Sequence, residues 1–163
     1  MNEALRGGIE APPYTFESVV PHTGAMVLLD RIDYWNEQER QASVTLRADA
    51  PFNDERGMPC WVGIEMMGQT IGAFGGCRAR RQGQQVKIGF LVGSRKYSCS
   101  HSYFPVGAHL EVNVREVSYG ENGLCVFECR LRGTGAHADI LASANINVFQ
   151  PDDPEKFLQG EAL

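Results

Sequence analysis

The stretch Met58–Gly76, MPCWVGIEMMGQTIGAFGG, is the most apolar part of the chain, yet it contains a carboxylate, Glu65. Its large apolar side chains fall on every side of a helical wheel, which predicts a buried helix rather than a surface helix. Basic residues follow in Arg78–Arg81, where they favour a helix C-terminus. We therefore expect one long helix, from Trp61 to Arg81, at the centre of the fold.

Three glycines of this helix, Gly68, Gly72 and Gly76, lie four residues apart and so share one side. Glycine in a helix interior costs about 1 kcal/mol relative to alanine. The spacing therefore predicts that something approaches this side closely, either a strand, a second helix or a ligand.

Segments on both sides of the helix alternate between apolar and polar residues, as half-buried strands do. Asn122-Gly123 between two of them is a hairpin signal. The predicted strands are 25–35 and 41–49 before the helix, and 86–100, 108–120, 124–133 and 137–149 after it. This order predicts an α+β architecture in which an antiparallel sheet wraps one long central helix. The open edges of such a sheet also predict a dimer.

The length of 163 residues suits a single domain, which we place at residues 21–150, after an N-terminal arm at 1–20 and before a loose tail at 151–163. The net charge of -5 gives no reason to expect nucleic acid or a membrane as partner. The first residues lack the apolar core of a signal peptide, and no run of about 20 apolar residues occurs. We therefore expect a cytoplasmic protein.

The cysteines and histidines give no sign of a metal site or a disulfide framework. Five cysteines occur without CxxC spacing, which favours reduced thiols packed as small apolar groups. The four histidines are scattered along the chain. The sequence therefore predicts no metal ligands.

Three stretches carry a resemblance to a known family. They are PHTGAMVLLDR at Pro21–Arg31, MPCWVGIEMMGQTIG at Met58–Gly72 and FLVGSRKYSCSHSYFPVG at Phe90–Gly107. In this order they resemble the hotdog fold and, within it, the FabZ-type 3-hydroxyacyl-ACP dehydratases. The similarity covers Pro21 to Phe149.

The chain is more similar still to a divergent branch, the ApeP-like dehydratases encoded with aryl polyene pigment clusters. These keep PH-G-M-LLD and P-WVGIE-M-Q, which the chain reproduces. The FabZ branch carries a further GHFPG before the helix, whose histidine is the catalytic base, whereas the equivalent stretch PFNDERGMP contains no histidine. The resemblance implies dehydration of 3-hydroxyacyl chains on acyl carrier protein, in fatty-acid or aryl-polyene-type biosynthesis. It implies no metal and no separate cofactor, since the pantetheine arm belongs to the substrate.

Glu65 has two interpretations. The helix dipole stabilises a carboxylate near the N-terminus by about 0.3–1 kcal/mol, which is little for an acid in apolar surroundings. Alternatively, Glu65 is a general acid whose pKa is raised by desolvation, and the resemblance implies that it protonates the departing hydroxyl. His22 is then the candidate base, because its imidazole titrates near neutral pH. If both act, they should face each other across a gap that holds two substrate carbons.

Each remaining candidate also has more than one interpretation. His22 could instead pack the loop that holds it, and His101 is a second candidate base. Gln69 lies one helical turn after Glu65, where it could bind Glu65, bind the substrate hydroxyl or be a satisfied core amide. The resemblance implies that backbone N–H groups at the helix start polarise the thioester carbonyl, either at Cys60, where the family has glycine, or at Gly63.

An apolar acyl tunnel along the helix is also expected. The side chains that could line this tunnel are Met66, Met67 and Phe74, although packing in the core would explain them equally well.

Two alternatives to a self-sufficient dehydratase remain open. The same fold hydrolyses acyl thioesters with a helix carboxylate that activates water, so the chain could be a thioesterase. In FabZ-like dimers the base and the acid of one site come from different chains, so Glu65 could serve a partner's histidine. The partner would be a second copy in a homodimer or another hotdog subunit in a heterodimer.

Overall fold

The computed structural model describes residues 13–86 and 89–160. Within them, a six-stranded antiparallel sheet and a separate two-stranded ladder surround one 20-residue helix. The elements are β1 (Arg31–Trp35), β2 (Glu39–Thr45), β3 (Met58–Pro59), α1 (Val62–Arg81), β4 (Phe90–Cys99), β5 (Tyr103–Phe104), β6 (His109–Tyr119), β7 (Leu124–Gly133), β8 (Leu141–Phe149) and α2 (Pro154–Leu158). The predicted central helix and antiparallel sheet are confirmed.

The sheet order is β1-β2-β6-β7-β8-β4, so β1 and β4 form its edges. Pairing is antiparallel throughout. The hairpin predicted at Asn122-Gly123 joins β6 to β7. Apolar residues of the inner sheet face and of α1 form one continuous core. No helix of the described residues is long and apolar enough to cross a membrane.

A short turn of 3-10 helix at Phe16–Val19 covers α1, and both of its end residues are buried. Gly76 makes this contact possible, because a Cβ at that position would overlap the Val19 carbonyl. The close approach expected on the glycine side of α1 is therefore a backbone turn at this position. Arg80 donates a hydrogen bond of 3.1 Å from Nη2 to the Ser18 carbonyl, which also holds the turn.

Two segments differ from the sequence-based expectation. The first strand was expected from residue 25 but begins at Arg31, because Met26 and Leu28 of the preceding loop bond to the Gln69 side chain of α1. The tail after residue 150 was expected to be loose, yet it contains α2. Phe157 of α2 packs on Phe90 and Phe149, with ring centroids 5.0 and 5.1 Å away. Residues 1–12 of the expected N-terminal arm lie outside the described residues.

Candidate active site

Glu65, His22 and Gln69 meet on the side of α1 that faces the loop before β1. The Glu65 Oε1 atom lies 3.2 Å from His22 Nε2 and accepts a hydrogen bond of 3.2 Å from Gln69 Nε2. Glu65 and Gln69 come together because they lie one helical turn apart. His22 arrives from a distant part of the chain, so its position depends on how its loop is anchored.

Gln69 provides that anchor. Its side chain is fully buried, its Oε1 accepts a hydrogen bond of 2.9 Å from the Leu28 N–H, and its Nε2 donates one of 2.6 Å to the Met26 carbonyl. A buried amide with every bond made is favourable, whereas an unpaired one costs free energy. Gln69 is thus a satisfied core amide that also contacts Glu65, and these bonds connect the PHTGAM loop with the helix.

The side chain of Glu65 is 43% exposed, so the burial expected from its apolar neighbours is wrong. The apolar residues beside it in sequence point to the other sides of α1, where Met66 and Met67 are fully buried. The His22 ion-pair contact and the Gln69 hydrogen bond both involve Oε1. Among the described residues, Oε2 has no hydrogen-bond or ion-pair partner.

His22 contacts Glu65 directly, and no gap for two substrate carbons separates them. Its Nε2 is the atom that faces Glu65, while Nδ1 is buried and lacks a hydrogen-bond partner within the described part of the chain. Neither ring nitrogen is therefore directed at open space in this arrangement. The geometry suits a histidine that orients a carboxylate.

A cavity of about 380 Å³ runs along α1 from Glu65 and His22 towards the helix C-terminus. Of the three expected tunnel walls, Phe74 lines this cavity, whereas Met66 and Met67 belong to the core. Apolar side chains from α1, β4, β7 and β8 line part of the wall, namely Ile71, Phe74, Phe90, Leu91, Phe127 and Val148.

The far end of the cavity is polar. Arg78 Nη2 lies 3.7 Å from Glu116 Oε2 there, and Tyr119 and Gln150 also line this end. Sequence reasoning missed Glu116 because it lies on an alternating strand whose polar residues resemble those of any solvated face.

The helix start does not present the backbone donors that were expected there. The Cys60 N–H donates to the Ser102 carbonyl at 2.9 Å, and the Gly63 N–H donates to the Cys60 carbonyl at 3.0 Å. The Tyr97 hydroxyl also donates to the Cys60 carbonyl. Both predicted donors are therefore engaged within the protein.

Glycine at position 63 is explained by packing against Tyr97. A Cβ at this position would lie 2.7 Å from the Tyr97 hydroxyl, so glycine lets that hydroxyl reach the helix start. Burial raises the pKa of Tyr97 well above its ordinary value and also raises the pKa of the Cys60 thiol. A protonated Cys60 thiol is a poor nucleophile.

Gly57 occupies the position before Met58-Pro59 where the FabZ branch has its histidine. Its φ of +113° is a conformation that side-chain-bearing residues rarely adopt, and a Cβ would overlap the Phe104 carbonyl. A histidine therefore does not fit here without movement of the backbone. The backbone conformation at Gly57 therefore disfavours a histidine at this position, in addition to its absence from the sequence.

His101, the second candidate base, lies just after β4 and does not line the cavity. Its Nδ1 is 2.7 Å from the Ser100 Oγ and its Nε2 is 3.2 Å from the Asp139 Oδ2. Ser100 in turn accepts the Leu141 N–H. These bonds connect the turn after β4 with the loop before β8.

The sequence matches the family model of the ApeP-like proteins, described as ApeP dehydratase, over residues 14–159. A search of the curated proteins finds no match. Among solved structures, a chain of the dehydratase heterocomplex ApeI:P from Xenorhabdus doucetiae aligns with a TM-score of 0.81 and 25% identity. The alignment covers 90% of this chain and 96% of that chain.

More distant structures share the fold. A hypothetical thioesterase with coenzyme A from Streptococcus pneumoniae aligns with a TM-score of 0.57 and 11% identity, over 74% of this chain and 84% of that one. The PaaI protein of the phenylacetic acid degradation operon of E. coli aligns with a TM-score of 0.56 and 10% identity, over 72% and 80%. The fold is thus the hotdog fold that the motifs predicted.

Proposed function

Because the chain belongs to the ApeP-like dehydratase family, we propose that it is one subunit of a hotdog dehydratase that acts on 3-hydroxyacyl chains carried by acyl carrier protein. The observation that carries the proposal is Glu65, a carboxylate at the mouth of an apolar cavity, held through one oxygen by His22 and Gln69. The apolar part of this cavity, between Glu65 and the polar far end, suits an acyl chain.

The proposed reaction needs one acid and one base. A base removes a proton from C2 of the substrate, the C3–O bond breaks, and a double bond forms between C2 and C3. Glu65 in its protonated form gives its proton to the departing hydroxyl, which leaves as water. Glu65 then recovers a proton from solvent and the base releases one, so the reaction is balanced.

We assign the base to a partner subunit. Gly57 leaves no room for a histidine at the FabZ position, and His22 directs one nitrogen at Glu65 and has the other buried. A partner that contributes the base is also in keeping with the similarity to a chain of a dehydratase heterocomplex. The alternative, in which His22 itself is the base, requires its ring to turn away from Glu65 when substrate binds.

The role of His22 in this proposal is to orient the carboxyl of Glu65. Placed 3.2 Å from Oε1, a protonated Nε2 interacts with that oxygen and leaves Oε2 to face the substrate hydroxyl. Gln69 adds a second donor to the same oxygen. The two together fix the carboxyl plane, which favours productive geometry.

The test is an assay with a 3-hydroxyacyl carrier protein that follows enoyl product and free thiol together. It compares the chain alone, a hotdog subunit that carries the GHFPG histidine, and a mixture of both. We expect the mixture to form enoyl product and to outperform either subunit. Release of free thiol without enoyl product would instead identify a thioesterase, and full dehydration by the chain alone would assign the base to this chain.

A further inference from the structure

Three glycines of α1, Gly68, Gly72 and Gly75, line the cavity. A Cβ on these residues would lie 3.7 Å from the Leu91 Cδ1, 4.0 Å from the Val20 Cγ1 and 3.9 Å from the Gln150 Nε2, respectively. Each distance is an ordinary van der Waals contact or longer. Packing among the described residues therefore does not require glycine at any of the three positions.

Gly76, next to them on the helix, behaves differently, because its Cβ would overlap the backbone of Val19. The helix thus has two glycines that packing demands, Gly63 and Gly76, and three that it does not. Glycine weakens a helix interior relative to alanine, so the three cavity glycines reduce helix stability, and no contact in the described part of the chain compensates for this. What they do provide is open space along the cavity floor.

The cavity itself points to an apolar ligand. Between its two polar ends the walls include aliphatic and aromatic side chains, as expected for an acyl chain. Glu65 lies at one end and the Arg78–Glu116 pair at the other. A linear chain bound at Glu65 would run along the helix axis over the three glycines.

The glycines lie at graded depths from Glu65. At 1.5 Å of rise per residue, Gly68, Gly72 and Gly75 lie roughly 4–5, 10 and 15 Å along the helix from Glu65. A larger side chain at each position would therefore block the cavity at a different distance from the reaction centre.

We infer that Gly68, Gly72 and Gly75 form the floor of the acyl channel and set the length of chain that it accepts. This inference rests on the proposed function and specifies its site. An extended butanoyl chain ends before Gly68, an octanoyl chain passes Gly68, a dodecanoyl chain passes Gly72, and a hexadecanoyl chain passes Gly75.

The experiment places leucine at each glycine in turn and uses alanine at the same position as the matched control. Binding of S-alkyl pantetheine thioethers, from butyl to hexadecyl, is measured by calorimetry on the chain alone and on its mixture with the subunit that carries the GHFPG histidine. Turnover of the matching 3-hydroxyacyl carrier proteins is measured in parallel. Circular dichroism checks the fold, and Gly72→Met gives a second, more flexible obstruction if Gly72→Leu does not fold.

Each leucine should lower the affinity at least tenfold for thioethers whose chains pass its position. The affinity for shorter chains should stay within about twofold of the wild-type value. The longest accepted chain should therefore increase in the order Gly68→Leu, Gly72→Leu, Gly75→Leu and wild type. The inference is overturned if length preference is unchanged, if all lengths lose equally, or if no thioether binds to the wild type. Graded binding without dehydration would overturn the proposed reaction and leave the channel assignment standing.

Discussion

Alanine at Gly76 tests the packing of α1 against the N-terminal turn. The new Cβ would lie 2.7 Å from the carbonyl carbon of Val19 and 2.9 Å from its Cα, besides overlapping the oxygen. These are backbone atoms, so the whole turn must move, and Phe16 and Val19 are both buried in the core. Overpacking of this kind costs about 1–3 kcal/mol, and the rigid backbone favours the upper half of that range.

Gly72→Ala is the matched control, because its Cβ would meet no atom of residues 13–86 and 89–160 closer than 4.0 Å. Both substitutions gain about 1 kcal/mol of helix propensity, so their difference isolates the clash. In urea denaturation we expect Gly72→Ala to raise the free energy of unfolding by up to about 1 kcal/mol. The free energy of unfolding of Gly76→Ala should be about 2–3 kcal/mol lower than that of Gly72→Ala. Equal stability of the two variants would refute the assigned contact.

Three further predictions concern the site and the thiols. Glu65→Gln should reduce dehydration by about 10²–10⁴-fold in the assembled enzyme, with an unchanged circular dichroism spectrum, because the amide cannot supply the proton. His22→Gln keeps a hydrogen-bond donor for Glu65, so it should retain more activity than His22→Ala and a kcat–pH profile closer to that of the wild type. Equal losses of activity in the two variants would contradict a positioning role for His22. Burial raises the pKa of Cys77 to about 11 and that of Cys129 to about 12, so iodoacetamide at pH 8 should modify half-buried Cys99 first, as measured by peptide mass spectrometry.

Features that depend on local periodicity could be predicted from the sequence. The helix was expected from Trp61 to Arg81 and runs over Val62–Arg81. It could be predicted because a helix with apolar residues on every side is stable only when it is buried at the centre of the fold. The long strands were recognisable from alternation, and the β6–β7 hairpin from Asn122-Gly123. β3 and β5 have two residues each and are too short for alternation to reveal.

Features that depend on distant contacts could not be predicted. The loop before β1 resembles a strand in sequence, but Gln69, 41 residues from Leu28, takes the N–H that a strand would use. The sequence indicated an acid in apolar surroundings but not which side of the helix Glu65 occupies. The Cys60 N–H looked available at the helix start, and only the fold brings Ser102 close enough to accept it.

The central claim is that Glu65 of this chain is the acid of a dehydratase site completed by a partner subunit. The direct measurement is enoyl formation from 3-hydroxyacyl carrier protein by a mixture of this chain with a hotdog subunit that carries the GHFPG histidine. It is made with wild-type chain and with Glu65→Gln, and light scattering confirms that both mixtures assemble. The account predicts an active wild-type mixture and a Glu65→Gln mixture that assembles but loses at least about a hundredfold in rate. A Glu65→Gln mixture that turns over within a few-fold of the wild-type rate would contradict it.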